Sequence, residues 1–171
     1  MTSEATDERP SDRYHRNDDG GGYAPEWVTS YVFEVVGTPA PQGSKRHVGN
    51  GIMRESSKAL APWRATVAQA ARMAVGANPP LDGAVALFVT FRFPMPKSRP
   101  KAVRERGEAW KTTAPDIDKL VRAVSDALTE AGMIHDDARI VTVTAQKHEV
   151  VGWTGARIVV WKVGALHGEG A

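Results

Sequence analysis

The stretch PDIDKLVRAVSDALTEAGMIHDD, residues 115–137, decides the fold because it joins an amphipathic helix to two pairs of aspartates. The apolar residues recur at helical spacing and predict a helix from about Asp116 to Ala131, with Gly132 as its stop signal. We expect the apolar stripe of this helix to pack on a sheet. The stripe consists of Leu120, Val124, Ala127, Leu128 and Ala131.

The aspartates at the two ends of the helix allow two explanations. Asp116 and Asp118 could be ordinary cap residues, and the Asp136–Asp137 pair could be turn chemistry before a strand. Alternatively the carboxylates converge on a cation, because a cap needs one aspartate and neighbouring anions repel each other. Carboxylate oxygens without histidine or cysteine favour Mg²⁺ or Mn²⁺, which can activate water for phosphodiester cleavage.

Outside this stretch the chain predicts a small α/β domain with a mixed sheet and two helices, in the order β-α-β-α-β-β. The predicted strands are residues 31–36, 85–93, 138–150 and 155–163, and the other helix covers 62–77. The last two strands flank a turn near Gly152 and predict a hairpin. Residues 37–54 predict a loop or β-ribbon, and residues 94–114 a long polar connection.

Composition restricts the class of protein. The 171 residues include no cysteine, which excludes disulfides and thiolate metal sites, and no apolar run or leader predicts a membrane or secreted protein. We therefore expect a cytoplasmic protein. Residues 1–28 hold seven acidic side chains against three arginines, although the whole chain has a net charge of +2. They predict a disordered acidic tail before a basic domain of residues 29–164, and residues 165–171 a flexible C-terminal tail.

The run PDIDKLVRAVSDALTEAG…HDDARI resembles the signature of the RusA family of Holliday junction resolvases. In that signature a D-x-D-[NK]-L segment opens a helix, D-A-L-x-x-A-G ends it, and D-D-[SA]-x-[IV] leads into the next strand. The upstream segment GTPAPQGSKR resembles the version common in phage-encoded members. The likeness covers roughly residues 31–162.

This resemblance implies a homodimeric nuclease domain, with Mg²⁺ or Mn²⁺ as cofactor, that makes paired symmetric nicks in four-way DNA junctions. Its role would be DNA recombination and repair in a bacterium or a phage-infected host cell. The family's essential carboxylates fall on Asp116, Asp118 and Asp137, with Asp136 as a fourth potential metal ligand. Arg122 stands where the bacterial enzymes have a lysine, and it can hold a phosphate or merely pair with an aspartate of its own helix.

Basic side chains near the aspartates are predicted to contact DNA phosphates, although a solvated loop is the plain alternative. They are Lys45, Arg46, Lys97, Arg99, Lys101, Lys111 and Lys119. Two further functions stay open: a nuclease with a broader substrate range that cuts forks and flaps, and a junction-binding protein without catalysis. A DxD also occurs in phosphotransferases and glycosyltransferases, but there it follows an apolar strand, whereas KTTAP precedes it here.

Overall fold

A computed structural model of the chain describes residues 14–15, 24–25, 30–43, 45–47, 53–55 and 58–164. Its helices are α1 (Leu60–Val75), α2 (Lys101–Arg106) and α3 (Ile117–Glu130), and a short 3₁₀ helix covers Asp137–Arg139. Its strands are β1 (Tyr14–His15), β2 (Ala24–Pro25), β3 (Ser30–Val36), β4 (Lys45–His47), β5 (Met53–Glu55), β6 (Val85–Pro94), β7 (Glu108–Trp110), β8 (Ile140–Val150) and β9 (Gly155–Lys162).

Five strands form one mixed sheet in the order β3-β9-β6-β8-β7. The β6–β8 pair is parallel, and the other neighbours are antiparallel. The remaining strands form two short antiparallel ribbons, β1 with β2 and β4 with β5. The α/β class and the mixed sheet are therefore confirmed, and the segment predicted as a loop or ribbon contains the β4–β5 ribbon.

The core lies between one face of the sheet and the helices α1 and α3. Strand β6 is central in the sheet, and Val85, Leu87, Val89 and Phe91 on its helix-covered face are completely buried. Helix α3 presents its predicted stripe to this core, where Leu120, Val124, Ala127 and Leu128 are completely buried. The predicted amphipathic helix is therefore confirmed, together with the face that it buries.

Two expectations about the elements are wrong. The described residues form three helices rather than two, because Pro100 precedes the helix-forming run KAVRER and Gly107, at φ 79°, ends it as helix α2. The last two strands do not form a hairpin, because β6 lies between β8 and β9 and pairs with both. The short loop around Gly152 thus crosses the end of β6, where Arg92 stacks on the ring of Trp153 at 4.6 Å.

The predicted tails, residues 1–28 and 165–171, lie outside the described residues apart from the two-residue strands β1 and β2. Their disorder stays a prediction. Within the described ranges, no helix has the length and apolar character needed to cross a membrane.

Candidate active site

A groove of about 690 Å³ separates helix α3 from strand β8. Its floor is apolar, and its polar lining comes from Asp118, Arg122, Ser125 and Asp137. We call this feature the α3–β8 groove. It brings together three of the four residues predicted to be catalytic, from the first and second turns of α3 and from the 3₁₀ helix before β8. The apolar floor consists of Ile117, Val121, Ile140, Val143 and Ala145.

Arg122 is exposed at the groove, and no described residue forms an ion pair or hydrogen bond with its side chain. In the described part of the chain, Arg122 therefore pairs with neither Asp118 nor Asp126, contrary to the alternative of an ion pair along the helix. Asp126 instead lies 3.6 Å from Arg64 of α1, on the opposite flank of α3. The guanidinium of Arg122 is left available for an anion that enters the groove.

Asp116 occupies the N-cap position of α3, with extended backbone at φ −68° and ψ 138°, but its side chain makes no capping hydrogen bond. Its carboxylate lies 3.0 Å from the ammonium of Lys119 and is 62% exposed. The pKa of Lys119 is raised, mainly by this hydrogen bond and by the charge of Asp116, with a smaller effect from Asp118. Asp116 is thus an accessible carboxylate beside Asp118 and does not line the groove.

The two aspartates of the second pair, Asp136 and Asp137, have different surroundings. Asp136 accepts a 2.8 Å hydrogen bond from the backbone amide of Ala138 and so caps the 3₁₀ helix, which is the turn role. Asp137 is exposed and lines the groove. Only the second of these neighbours therefore faces the same space as Asp118.

The donors present fit a hard divalent cation in their chemistry, since all are carboxylate oxygens. Among the residues that the structure describes, however, no group of three or more acidic, histidine or cysteine side chains lies close enough together to form a metal site. Asp118 and Asp137 share the groove, and the convergence of Asp116, Asp118, Asp136 and Asp137 on one cation stays a prediction.

The last residues of β8 hold the connection that leads into α3. The ammonium of Lys147 donates to the backbone oxygens of Thr113, at 3.0 Å, and of Pro115, at 2.7 Å. His148 pairs with Glu108 at 2.6 Å, and its ring lies 4.4 Å from that of Trp110. These contacts were not foreseen from the sequence.

Glu149 is the buried charge of this region, with 2% of its surface exposed. Its carboxylate pairs with Arg99 at 2.6 Å and lies 3.9 Å from the ammonium of Lys111. The hydrogen bond and the charge of Glu149 raise the pKa of Arg99. One signal in the sequence could have indicated Lys147 and Glu149. Both residues follow Ala145 at alternate positions and so lie on the same face of β8. Their partners on β6 are Phe91 and Phe93, which belong to the core.

The predicted DNA-binding residues fall into different surroundings. Lys97 is exposed, and Lys101 is 83% exposed beside Glu105 of its own helix. Arg99, Lys111 and Lys119 are held in ion pairs with Glu149 or Asp116. Lys45 and Arg46 lie on β4, and their side chains are outside the described part. All seven DNA contacts stay predictions.

The loop before β4 is attached to the active-site helix. The backbone amide of Gln42 donates to the backbone oxygen of Lys119 at 2.9 Å. The GTPAPQGSKR segment, residues 37–46, therefore reaches the first turn of α3, close to Asp116 and Asp118.

Comparison with known families agrees with this geometry. The family described as Endodeoxyribonuclease RusA matches residues 34–160, well over half of the chain and a range that contains the whole α3–β8 groove. The chain belongs to the RusA endodeoxyribonuclease family. This RusA-family chain is also 34% identical over 125 residues to the uncharacterized protein YqaN of Bacillus subtilis (strain 168), which covers 67% of this chain and 84% of that protein.

Membership confirms the resemblance on which the site was predicted. RusA is a family of DNA endonucleases that resolve Holliday junctions, so this RusA-family chain is a phosphodiester hydrolase. The roles of individual residues and of the metal are proposals.

Proposed function

We propose that this protein resolves four-way DNA junctions by paired symmetric nicks, with Mg²⁺, at the α3–β8 groove. The observation that carries the proposal is that Asp118, Arg122 and Asp137 line one groove within the range matched by the RusA family. Two carboxylates and a guanidinium provide both signs of charge that phosphodiester hydrolysis requires. A pure DNA-binding protein would gain nothing from carboxylates that face the phosphates.

Asp118 and Asp137, with Asp116 at the start of the helix, are the residues that we propose hold the metal. A Mg²⁺ ion held by these residues would supply Lewis-acid chemistry to the scissile phosphate and would lower the pKa of the attacking water. Arg122 lies beside Asp118 along the groove and would offset the negative charge that develops on the phosphate oxygens. Lys119 neutralises Asp116 in the free protein and becomes available to DNA when that carboxylate binds a cation.

DNA approaches this site across the basic connection between β6 and α3. Lys97 and Lys101 have exposed side chains there, and Lys45 and Arg46 lie on β4, shortly after Gln42, whose backbone contacts the first turn of α3. Contacts of this kind are not sequence-specific and weaken with salt. They suit an enzyme that recognises the shape of branched DNA.

We also propose that the active protein is a homodimer, since two sites related by a two-fold axis match the near-symmetry of a four-way junction. A surface for the contact is the outer edge of β8. Strand β7 pairs only with its last residues, and no described strand pairs with the edge of 140–146. Val141 on this segment is 60% exposed and does not line the groove.

The test is cleavage of a synthetic four-way junction beside a linear duplex and a splayed fork, in Mg²⁺ and in EDTA. We expect paired nicks in the junction only, and none in EDTA. Asp118→Asn should abolish cleavage while leaving junction binding equal or tighter, because it removes a negative charge that faces DNA. Asp126→Asn is the matched control, since that aspartate of the same helix pairs with Arg64 away from the groove.

Each other outcome has a defined meaning. Equal cutting of all three substrates, the linear duplex included, would discard the resolvase role and leave a nuclease without structure selectivity. Cutting of the junction and the fork but not of the duplex would indicate a broader branched-DNA nuclease. Normal nicking by Asp118→Asn would remove the groove from the mechanism. Junction binding without nicks in Mg²⁺ or Mn²⁺ would leave only the binding function.

A further inference from the structure

We propose that Lys147 is a positioning residue of the active site, which fixes the backbone that carries Asp116 and so prepares the carboxylates for the metal. The inference deepens the proposed nuclease function and rests on it. Lys147 belongs to β8, far from Asp116 in sequence, and no motif described above includes it. Its role follows from its two hydrogen bonds.

The ammonium of Lys147 lies 2.7 Å from the backbone oxygen of Pro115 and 3.0 Å from that of Thr113. Pro115 directly precedes Asp116, so one side chain holds two carbonyl groups of the last turn before the helix. Hydrogen bonds from a charged donor are shorter and stronger than those between neutral groups. Lys147 therefore fixes the direction in which the chain enters α3.

This attachment matters because Asp116 does not fix itself. An N-cap aspartate commonly accepts a hydrogen bond from the second or third amide of the helix, which ties the side chain to the first turn. The carboxylate of Asp116 makes no such bond and is 62% exposed. Its described partner is the ammonium of Lys119 at 3.0 Å, on a side chain that is itself 44% exposed. The position of Asp116 therefore depends on this exposed ion pair and on the backbone, which Lys147 holds on the N-terminal side.

The same strand forms the wall of the groove. Val143 and Ala145 line the groove, and Lys147 follows Ala145 on the same face of β8. Asp118 faces this wall from α3. Lys147 thus connects the groove wall to the segment that carries both aspartates of the DxD motif. Groups that orient metal ligands in this way typically change metal affinity 10- to 100-fold when they are removed.

The experiment compares Lys147→Met, Lys147→Arg and the control Lys162→Met in the full-length protein. Lys162 is an exposed lysine on β9, which β6 separates from β8, and it does not line the groove. Three quantities are measured: backbone amide exchange in metal-free protein by mass spectrometry, Mn²⁺ affinity without DNA by isothermal titration, and the steady-state kinetics of junction cleavage.

We expect Lys147→Met to speed amide exchange selectively in the peptide of residues 111–120 and to weaken Mn²⁺ binding by about 10-fold or more. It should lower kcat while KM for the junction stays near the wild-type value, because the DNA-contacting surface is unchanged. Lys147→Arg should restore protection and part of the Mn²⁺ affinity, since it keeps a charged donor at this position. Lys162→Met should match the wild type in all three measurements.

Two results would overturn the proposal: wild-type exchange and Mn²⁺ affinity in Lys147→Met, or faster exchange spread evenly over the sheet, which would indicate a purely global loss of stability. The proposed function fails separately, because it is decided by whether the wild-type protein nicks junctions. The exchange and Mn²⁺ measurements need neither DNA nor turnover.

Discussion

The first turn of α3 should be more important for catalysis than an equally buried part of the same helix. Leu120 and Leu128 are both completely buried in the core, eight residues apart. Leu120 follows Asp118 by two positions and anchors the turn that presents it, whereas Leu128 lies in the last turn. Replacing either by alanine removes the same group of atoms from the same kind of environment.

The magnitude follows from this burial. Truncating a fully buried leucine to alanine costs the transfer free energy of the lost carbons and a cavity term, about 3 kcal/mol together. For a domain of this size, that corresponds to a fall of about 6–12 °C in Tm. We expect both variants to lose this amount in urea unfolding.

Cleavage should separate the two variants. At 20 °C, where both are folded, Leu120→Ala should have a kcat about tenfold below that of Leu128→Ala. A tenfold change in kcat corresponds to ~1.4 kcal/mol of activation free energy. This is about half of the packing free energy that Leu120→Ala removes, and it would act through the position of Asp118. Equal kcat values for two variants of equal stability would refute the reasoning, because the first turn would then have no special effect on the site.

Two further predictions concern the surfaces assigned to DNA and to the second subunit. Lys97→Met should weaken binding to junction and duplex alike and reduce the slope of log K against log salt by about one, with Tm unchanged; Lys162→Met is the control, and an unchanged slope would remove Lys97 from the DNA surface. Val141→Glu should convert the dimer to a monomer in sedimentation equilibrium, because it places a charge on the open edge of β8. Val36→Glu is the control, because it adds the same charge at a 70% exposed valine of β3. A Val141→Glu protein that stays dimeric would exclude the edge of β8 as the dimer contact.

Local patterns were enough to predict α3 and most of the sheet. The helix was expected from about Asp116 to Ala131 and covers Ile117–Glu130, because its apolar period and its stop signal agree. Gly132 has φ 72°, and the amides of Gly132 and Met133 donate to the backbone oxygens of Thr129 and Leu128. This pair of bonds is the Schellman arrangement that a glycine at this position favours.

The order of the strands could not be obtained in the same way. A short turn between two strands favours a hairpin, and the sequence around Gly152 has that property. Every residue of strand β6 except Pro94, however, is buried or half-buried, whereas Thr142 and Thr144 of β8 are exposed. Burial of the more apolar strand at the centre of the sheet outweighs the local preference of the turn. Such competition between distant strands leaves no local signal.

The site was predictable to the extent that it is local. Asp118 and Arg122 are four residues apart on one helix, so their shared groove follows from helical geometry. The different roles of Asp136 and Asp137 could not be separated, because either of two adjacent aspartates can cap a turn. The contacts of Lys147 and Glu149 join segments that are tens of residues apart, and they depend on β8 lying parallel to β6.

The distribution of ion pairs separates the functional charges from the structural ones. Asp126, Asp136 and Arg99 each have a partner that explains them through stability alone. Asp118, Arg122 and Asp137 form no side-chain ion pair or hydrogen bond among the described residues, although the charge of Asp118 contributes to the raised pKa of Lys119, and all three line one groove with an apolar floor. Because all three side chains are exposed and therefore solvated, stability does not require that they be paired, and they stay accessible from the groove. Their lack of partners in the folded chain is what an enzyme needs if they are to act on a phosphate and a cation.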